Sequence, residues 1–247
     1  MIEDQNELRN QEAIGNIPAG NFDENKINNA SKELDGIISN LKSNTIFNNF
    51  FSDLDNKNKK STIIGIKNLN TQVAGETIRG KKGERTISFN SSIFYKIKES
   101  FIKLYSKKDL NQTDWQNINI LSHEYLHNRQ THLVKIINPL SLNISEGLTE
   151  IIAQIHTNNF LEVYCGNSIK YEKVENTSIY INVVDIIKPL LKKFNNDNLY
   201  KDVEIMLGRI NHNDIKNELI KVMNKYDKGL SGLTMITLLS DKKIKSF

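Results

Sequence analysis

Residues 123–127 read His123–Glu124–Tyr125–Leu126–His127. How this His–Glu–x–x–His stretch is interpreted decides the fold, because it lies where the sequence predicts a helix. Just before it, Thr113–Asp114–Trp115–Gln116 has the Ser/Thr–x–x–Gln form of a capping box. A helix is therefore expected from about Asp114 to Val134, with Asn138–Pro139 at or just beyond its end. Residues four apart on a helix differ by about 40° around the axis, so His123 and His127 project from one face. Two neutral imidazoles at that spacing can share one tetrahedral cation. Glu124 lies about 60° from His127. Its carboxylate can reach a water on such a cation without itself being a ligand. Zinc lowers the pKa of that water to about 7, and Glu124 is placed to take its proton as general base.

A site of this kind needs a third protein ligand. Glu146 follows His127 after 18 intervening residues, within Ser145–Glu146–Gly147–Leu148–Thr149–Glu150. A second helix, expected from near Asn143–Ser145 to about Asn159, would bring it back past the first, and Asn138–Pro139 supplies the break between them. Glu150, one turn after Glu146, faces the same way. It is suited to accept the second N–H of a metal-bound imidazole and so orient it. The expected cofactor is one zinc per chain.

The combination resembles the gluzincin branch of the zincin-like metallopeptidases. His123 and His127 match its helix-borne ligands, Glu124 its general base and Glu146 its downstream ligand. The spacer is similar to that of an aminopeptidase group whose second motif reads Asn–Glu–Gly; Ser145 stands where that Asn would be. The acid one turn on is similar to the thermolysin pattern, with Glu150 in place of the usual Asp. The resemblance covers roughly residues 85–160. It implies an α+β, zincin-like fold, with a small, mainly antiparallel sheet packed on the active-site helix and a mostly helical C-terminal part. It also implies that a strand before that helix forms the edge on which an extended substrate lies, and Arg85–Phe89 is the candidate. A metzincin would carry Gly at 130 and His at 133, where this chain has Gln130 and Leu133. His132 lies about 140° around the helix from His127 and cannot join the same metal.

Working outward, residues 1–28 are polar, Asn-rich and aperiodic, and read as a flexible N-terminal arm. Residues 29–247 read as a single zincin-like domain. Within it, 29–135 hold the first helix, the sheet and the active helix, while 136–247 form a helical part carrying the third ligand. Leu34, Ile37, Ile38, Leu41, Phe47, Phe50, Phe51 and Leu54 recur at helical steps from Ser31 onward. Thr62–Ile66 is a β-branched run. Thr77–Arg79 and Arg85–Phe89 flank Gly80–Lys81–Lys82–Gly83, a hairpin signature. Ser91 to Ser106 returns to helical spacing, and the chain from Ser178 reads as mostly helical.

Composition narrows the partners. The 247 residues are 38% hydrophobic and 25% charged, with no apolar run near the roughly 20 residues of a spanning helix. A net charge of +4 is spread over short clusters interleaved with acids, which argues against a nucleic-acid partner. One Cys excludes a disulfide framework and any thiol-built zinc finger. That Cys, together with an acidic start lacking an apolar leader core, leads to an expected cytoplasmic location. The partner is a peptide or protein substrate, with no membrane, and the oligomeric state stays open.

Gluzincins add a Tyr or His that stabilises the oxyanion. Tyr180, opening an apolar helix, and His212, at a helix start, are the two candidates. His156, Arg129 and Cys165 read as packing or surface residues, and Trp115 as a core anchor. Two other readings remain open. One is a non-catalytic zincin-fold protein that uses zinc for structure or partner binding. The other is a toxin- or effector-type protease acting on one host protein.

Overall fold

The computed structural model describes residues 24–42, 62–67, 69, 74–79, 85–129, 139–171, 181–193, 197–209 and 214–226. Their architecture is α+β, with seven helices and one three-stranded sheet among the described residues. The order is α1 (Glu24–Lys42), β1 (Thr62–Ile66), β2 (Gly75–Arg79), β3 (Arg85–Phe89), α2 (Ser91–Tyr105), α3 (Gln112–Arg129), α4 (Pro139–Cys165), α5 (Ile181–Lys193), α6 (Asp197–Arg209) and α7 (Ile215–Asn224). The chain divides into two compact units. One takes the described residues among 7–129 and 153–175, the other those among 130–152 and 176–247.

In the first unit the expected hairpin forms. β2 pairs antiparallel with β3, from Gly75 opposite Phe89 to Arg79 opposite Arg85. β1 then pairs parallel with β3, from Thr62 opposite Arg85 to Ile66 opposite Phe89. The strand order β1-β3-β2 corrects two expectations. The sheet is mixed, with one parallel and one antiparallel pairing, rather than mainly antiparallel. Arg85–Phe89 is the central strand, so its backbone groups are already paired and it cannot serve as the free edge. Ile64, Ile87 and Phe89 are buried. Because they occupy one face at two-residue spacing, that face carries the sheet's core.

α1 begins at Glu24, ahead of the Ser31 and residue 29 boundaries, and buries Leu34, Ile38 and Leu41. The Phe47–Phe50–Phe51 stripe lies outside the described residues, as do positions 1–23 of the arm. α2 buries Ile93, Phe94, Ile97, Phe101 and Leu104. It closes in a Schellman motif: the Lys107 N–H donates to Leu104 O and the Lys108 N–H to Lys103 O, with Lys107 at φ 52°.

α3 starts at Gln112, two residues before the expected point. Its capping box is built from a different pair. Asn111 Oδ1 accepts the Asp114 N–H, and Asp114 Oδ2 accepts the Asn111 N–H, both at 3.0 Å. Asp114 also accepts from Ser100 Oγ at 2.9 Å and from Lys103 Nζ at 2.8 Å. Burial alone would raise this carboxyl; the bonds from Lys103, the Asn111 amide and Ser100 outweigh it and hold the group below its ordinary value.

The second part of α4 packs on α3 in the same unit. Trp115 is fully buried and donates its indole N–H to Asn158 Oδ1 at 2.9 Å. The Thr157 hydroxyl donates to Ser122 Oγ at 2.9 Å, and Ser122 in turn to Ile118 O. α4 ends at Cys165, where Gly166 takes the left-handed φ of +48°. Cys165 is buried as expected, and burial pushes its thiol up to about 11. Beyond it, Leu110 N–H donates to Lys170 O at 2.8 Å, tying this end back to the start of α3.

In the second unit α5, α6 and α7 bear out the helical C-terminal reading. They bury Val184, Ile187 and Leu191, then Leu199, Val203 and Leu207, then Ile215, Leu219 and Met223. Tyr226 Oη donates to Asp202 Oδ2 at 3.1 Å, linking the end of α7 to α6. Among the described residues no helix is long and apolar enough to cross a membrane.

Candidate metal centre

α3 is not amphipathic in the ordinary sense. It buries Trp115, Ile118, Leu121, Tyr125 and Leu126, but also Asn117, Asn119, Ser122, His123, Glu124 and Asn128. A helix enclosed on most sides must find a use or a partner for each polar group it carries. Asn117 meets this by donating to Lys96 O and Ser100 Oγ, and Ser122 does so through Ile118 O and Thr157. Asn119 accepts from the Thr157 hydroxyl at 3.3 Å, and the His–Glu–x–x–His stretch adds three more polar side chains to the same helix.

The two imidazoles converge as the helix period requires. Their Nε2 atoms stand 2.9 Å apart, with ring centroids 4.7 Å apart and planes at 66°. Ligand atoms around a tetrahedral zinc at about 2.0–2.1 Å are separated by roughly 3.3 Å. A small opening of the pair would therefore seat one ion. Glu146, on α4, completes the group: His123, His127 and Glu146 each offer one ligand atom, all within 4.8 Å of one another. Two imidazoles and one carboxylate form a donor set suited to zinc or a similar transition ion. His123 is buried, while His127 and Glu146 are half-buried. Glu150 sits one turn after Glu146 on α4 and is buried.

Glu124 is 7% exposed. Its carboxylate turns to the sheet, where the Thr77 hydroxyl on β2 lies 2.8 Å from Oε2 and 3.0 Å from the Glu124 carbonyl oxygen. Gly75, two residues earlier on the same face of β2, is in close contact with it. An added Cβ there would stand 2.8 Å from Glu124 Oε1 and 2.9 Å from Cδ. The strand that meets the helix is thus β2. Among the described residues no strand covers its other side. Gly75–Arg79, and not Arg85–Phe89, is therefore an edge strand among the described residues.

Thr77 and Gly75 were not singled out by the sequence. Thr77 read only as part of a hairpin strand, and Gly75 lay outside it. Tyr180 and His212 lie outside the described residues, as does His132. His156 is half-buried on α4. Compared with known protein families, curated proteins and solved structures, the chain finds no match in any of the three.

Proposed function

We propose that the chain is a zinc-dependent metallopeptidase of zincin-like fold. The observation that carries this is that His123, His127 and Glu146 each offer one ligand atom within 4.8 Å of the others, with Glu124 next to His123 on the same helix. In this reading the three residues hold one zinc and Glu150 supports the ligand shell. When bound, the zinc would lower the pKa of a water and polarise the scissile carbonyl. Glu124 would take the proton from the attacking water and pass it to the departing amine nitrogen, leaving a free acid and a free amine. An extended substrate chain would add as a further strand to the edge of β2 that no described strand covers. The single buried thiol fits a reducing compartment, and a cytoplasmic location is part of the proposal.

The test combines metal analysis with a proteome-derived peptide library. Wild type should purify with about one zinc and cleave library peptides. Glu124→Gln should keep its zinc and lose cleavage; Glu146→Ala should lose most of its zinc. Normal cleavage by Glu124→Gln would sink the mechanism. Full zinc in wild type without cleavage of any peptide would favour zinc held for structure or partner binding.

A further inference from the structure

We infer that Thr77 and Gly75 form a seat on the edge strand for the Glu124 carboxylate, which makes Thr77 a positioning residue for the general base. Glu124's role as a base rests on the peptidase reading; the seat stands on contacts within one unit of the fold.

Positions 75 and 77 lie on the same face of β2 because strand side chains alternate. At 75 there is no side chain, so the carboxylate lies directly against the strand, with Oε1 only 2.8 Å from where a Cβ would stand. At 77 a hydroxyl meets the other oxygen, Oε2, at 2.8 Å. A hydroxyl has one proton to give. The Glu124 carbonyl, 3.0 Å away, belongs to the helical ladder of α3, whereas a carboxylate accepts a stronger, charge-assisted bond. The carboxylate is the better acceptor on both counts. Glass-like fixation of the side chain is not needed for this to matter. A Glu has three rotatable bonds, and one bond at its tip together with a flat contact beneath removes most of that freedom. A single donated bond uses only one of the roughly four acceptor positions of a carboxylate, so it does not by itself stop Glu124 from taking a proton.

The arrangement also links the two halves of the proposed chemistry. The residue that fixes the base stands on the strand whose backbone would align the substrate. A shift of β2 would therefore move substrate and base together.

The experiment compares wild type with Thr77→Val, which keeps shape and strand propensity but lacks the hydroxyl, and with Thr77→Ser, which keeps the hydroxyl. Thr77→Ala serves as a second deletion should the valine disturb packing. Crystal structures of the metal-free proteins read the Glu124 position directly. It should be single-valued over Gly75 in wild type and Thr77→Ser, and displaced or multiple in Thr77→Val and Thr77→Ala. On a library peptide that wild type cleaves, Thr77→Val should lower kcat about 10- to 100-fold with KM and zinc content unchanged, and Thr77→Ser should stay within about threefold of wild type. An unmoved Glu124 in both deletion variants overturns the seat. Failure of Thr77→Ser to hold kcat shows that the methyl group, not the hydroxyl, matters, and overturns it equally. If wild type cleaves no peptide, the peptidase reading fails, while the crystallographic comparison still decides whether the seat exists.

Discussion

Gly75→Ala is the sharpest perturbation of this centre. The backbone at 75 is not in the left-handed region, so alanine is not excluded by conformation; what excludes it is space. Its Cβ would stand 2.8 Å from Phe89 Cε1 and 2.8 Å from Glu124 Oε1. Ordinary carbon–carbon contacts lie at about 3.5–4.0 Å, so the approach to Phe89 is roughly 0.7 Å or more too close. Phe89 is fully buried on the central strand opposite Gly75 and has little room to swing. The Glu124 carboxylate is the flexible partner, but Thr77 tethers it. Overpacking of this kind costs about 1–3 kcal/mol, and a displacement near 1 Å of a reacting group costs about 100-fold in rate. Urea denaturation should therefore show a midpoint loss corresponding to about 1–3 kcal/mol at unchanged slope. kcat/KM on a cleaved peptide should fall by about two orders of magnitude, with zinc content retained. A Phe89→Leu background should reduce the alanine penalty, because the two substitutions share one clash and cannot be additive. Stability within about 0.5 kcal/mol of wild type, together with activity within threefold, would mean that the carboxylate does not lie against the strand.

Two further outcomes test the scaffold. Asp114→Asn removes the charge that Lys103, Ser100 and the Asn111 amide satisfy, and should cost about 2 kcal/mol near neutral pH, given that Lys103 is partly in water. Because the folded carboxyl is held below its unfolded value of about 4, its contribution is fully present above that pH and fades as the pH falls through the folded value. The gap between wild type and Asp114→Asn in chemical denaturation should shrink accordingly on acidification; a pH-independent gap would contradict the assignment. Lys107→Gly should stabilise by about 1 kcal/mol, since Lys107 closes α2 at φ 52°, where a Cβ is strained; thermal unfolding reads this, and a loss of stability would argue against it.

Much of this architecture was legible because it is written in local patterns. The β-branched run at Thr62–Ile66, the two short segments on either side of Gly80–Gly83, and the stripe through Phe94, Ile97 and Phe101 each specify an element within a few residues. What local pattern could not give was the neighbour of β3. The hairpin states that β2 and β3 meet, but the parallel pairing of β1 with β3 joins residues 23 apart at every position of the register, as at Ile64 and Ile87. Nothing in either strand announces it, and without it the second strand of a hairpin looks like an edge. The capping box failed for a smaller reason. Thr113–x–x–Gln116 and Asn111–x–x–Asp114 are both acceptable as patterns. The second won because Asp114 also faces Ser100 and Lys103 on α2, a tertiary bond set that no reading of α3 alone contains.

The site divides along the same line. His123, Glu124 and His127 are fixed to one another by the helix period, so sequence suffices to place them. Glu146 required a spacing argument, and it is found among the ligand atoms that gather within 4.8 Å. Thr77 and Gly75 are 47 and 49 positions from Glu124, on an element whose orientation depends on the strand order that sequence could not supply. Their contribution is of a kind that motifs do not encode: one residue donates a single bond and the other contributes the absence of a side chain. A helix motif can specify which atoms are available for chemistry. Whether the carboxylate among them is held or free is decided by the strand beside it. That is why substitutions at Gly75 and Thr77, rather than at His123, His127 or Glu146, separate a positioned carboxylate from a merely present one.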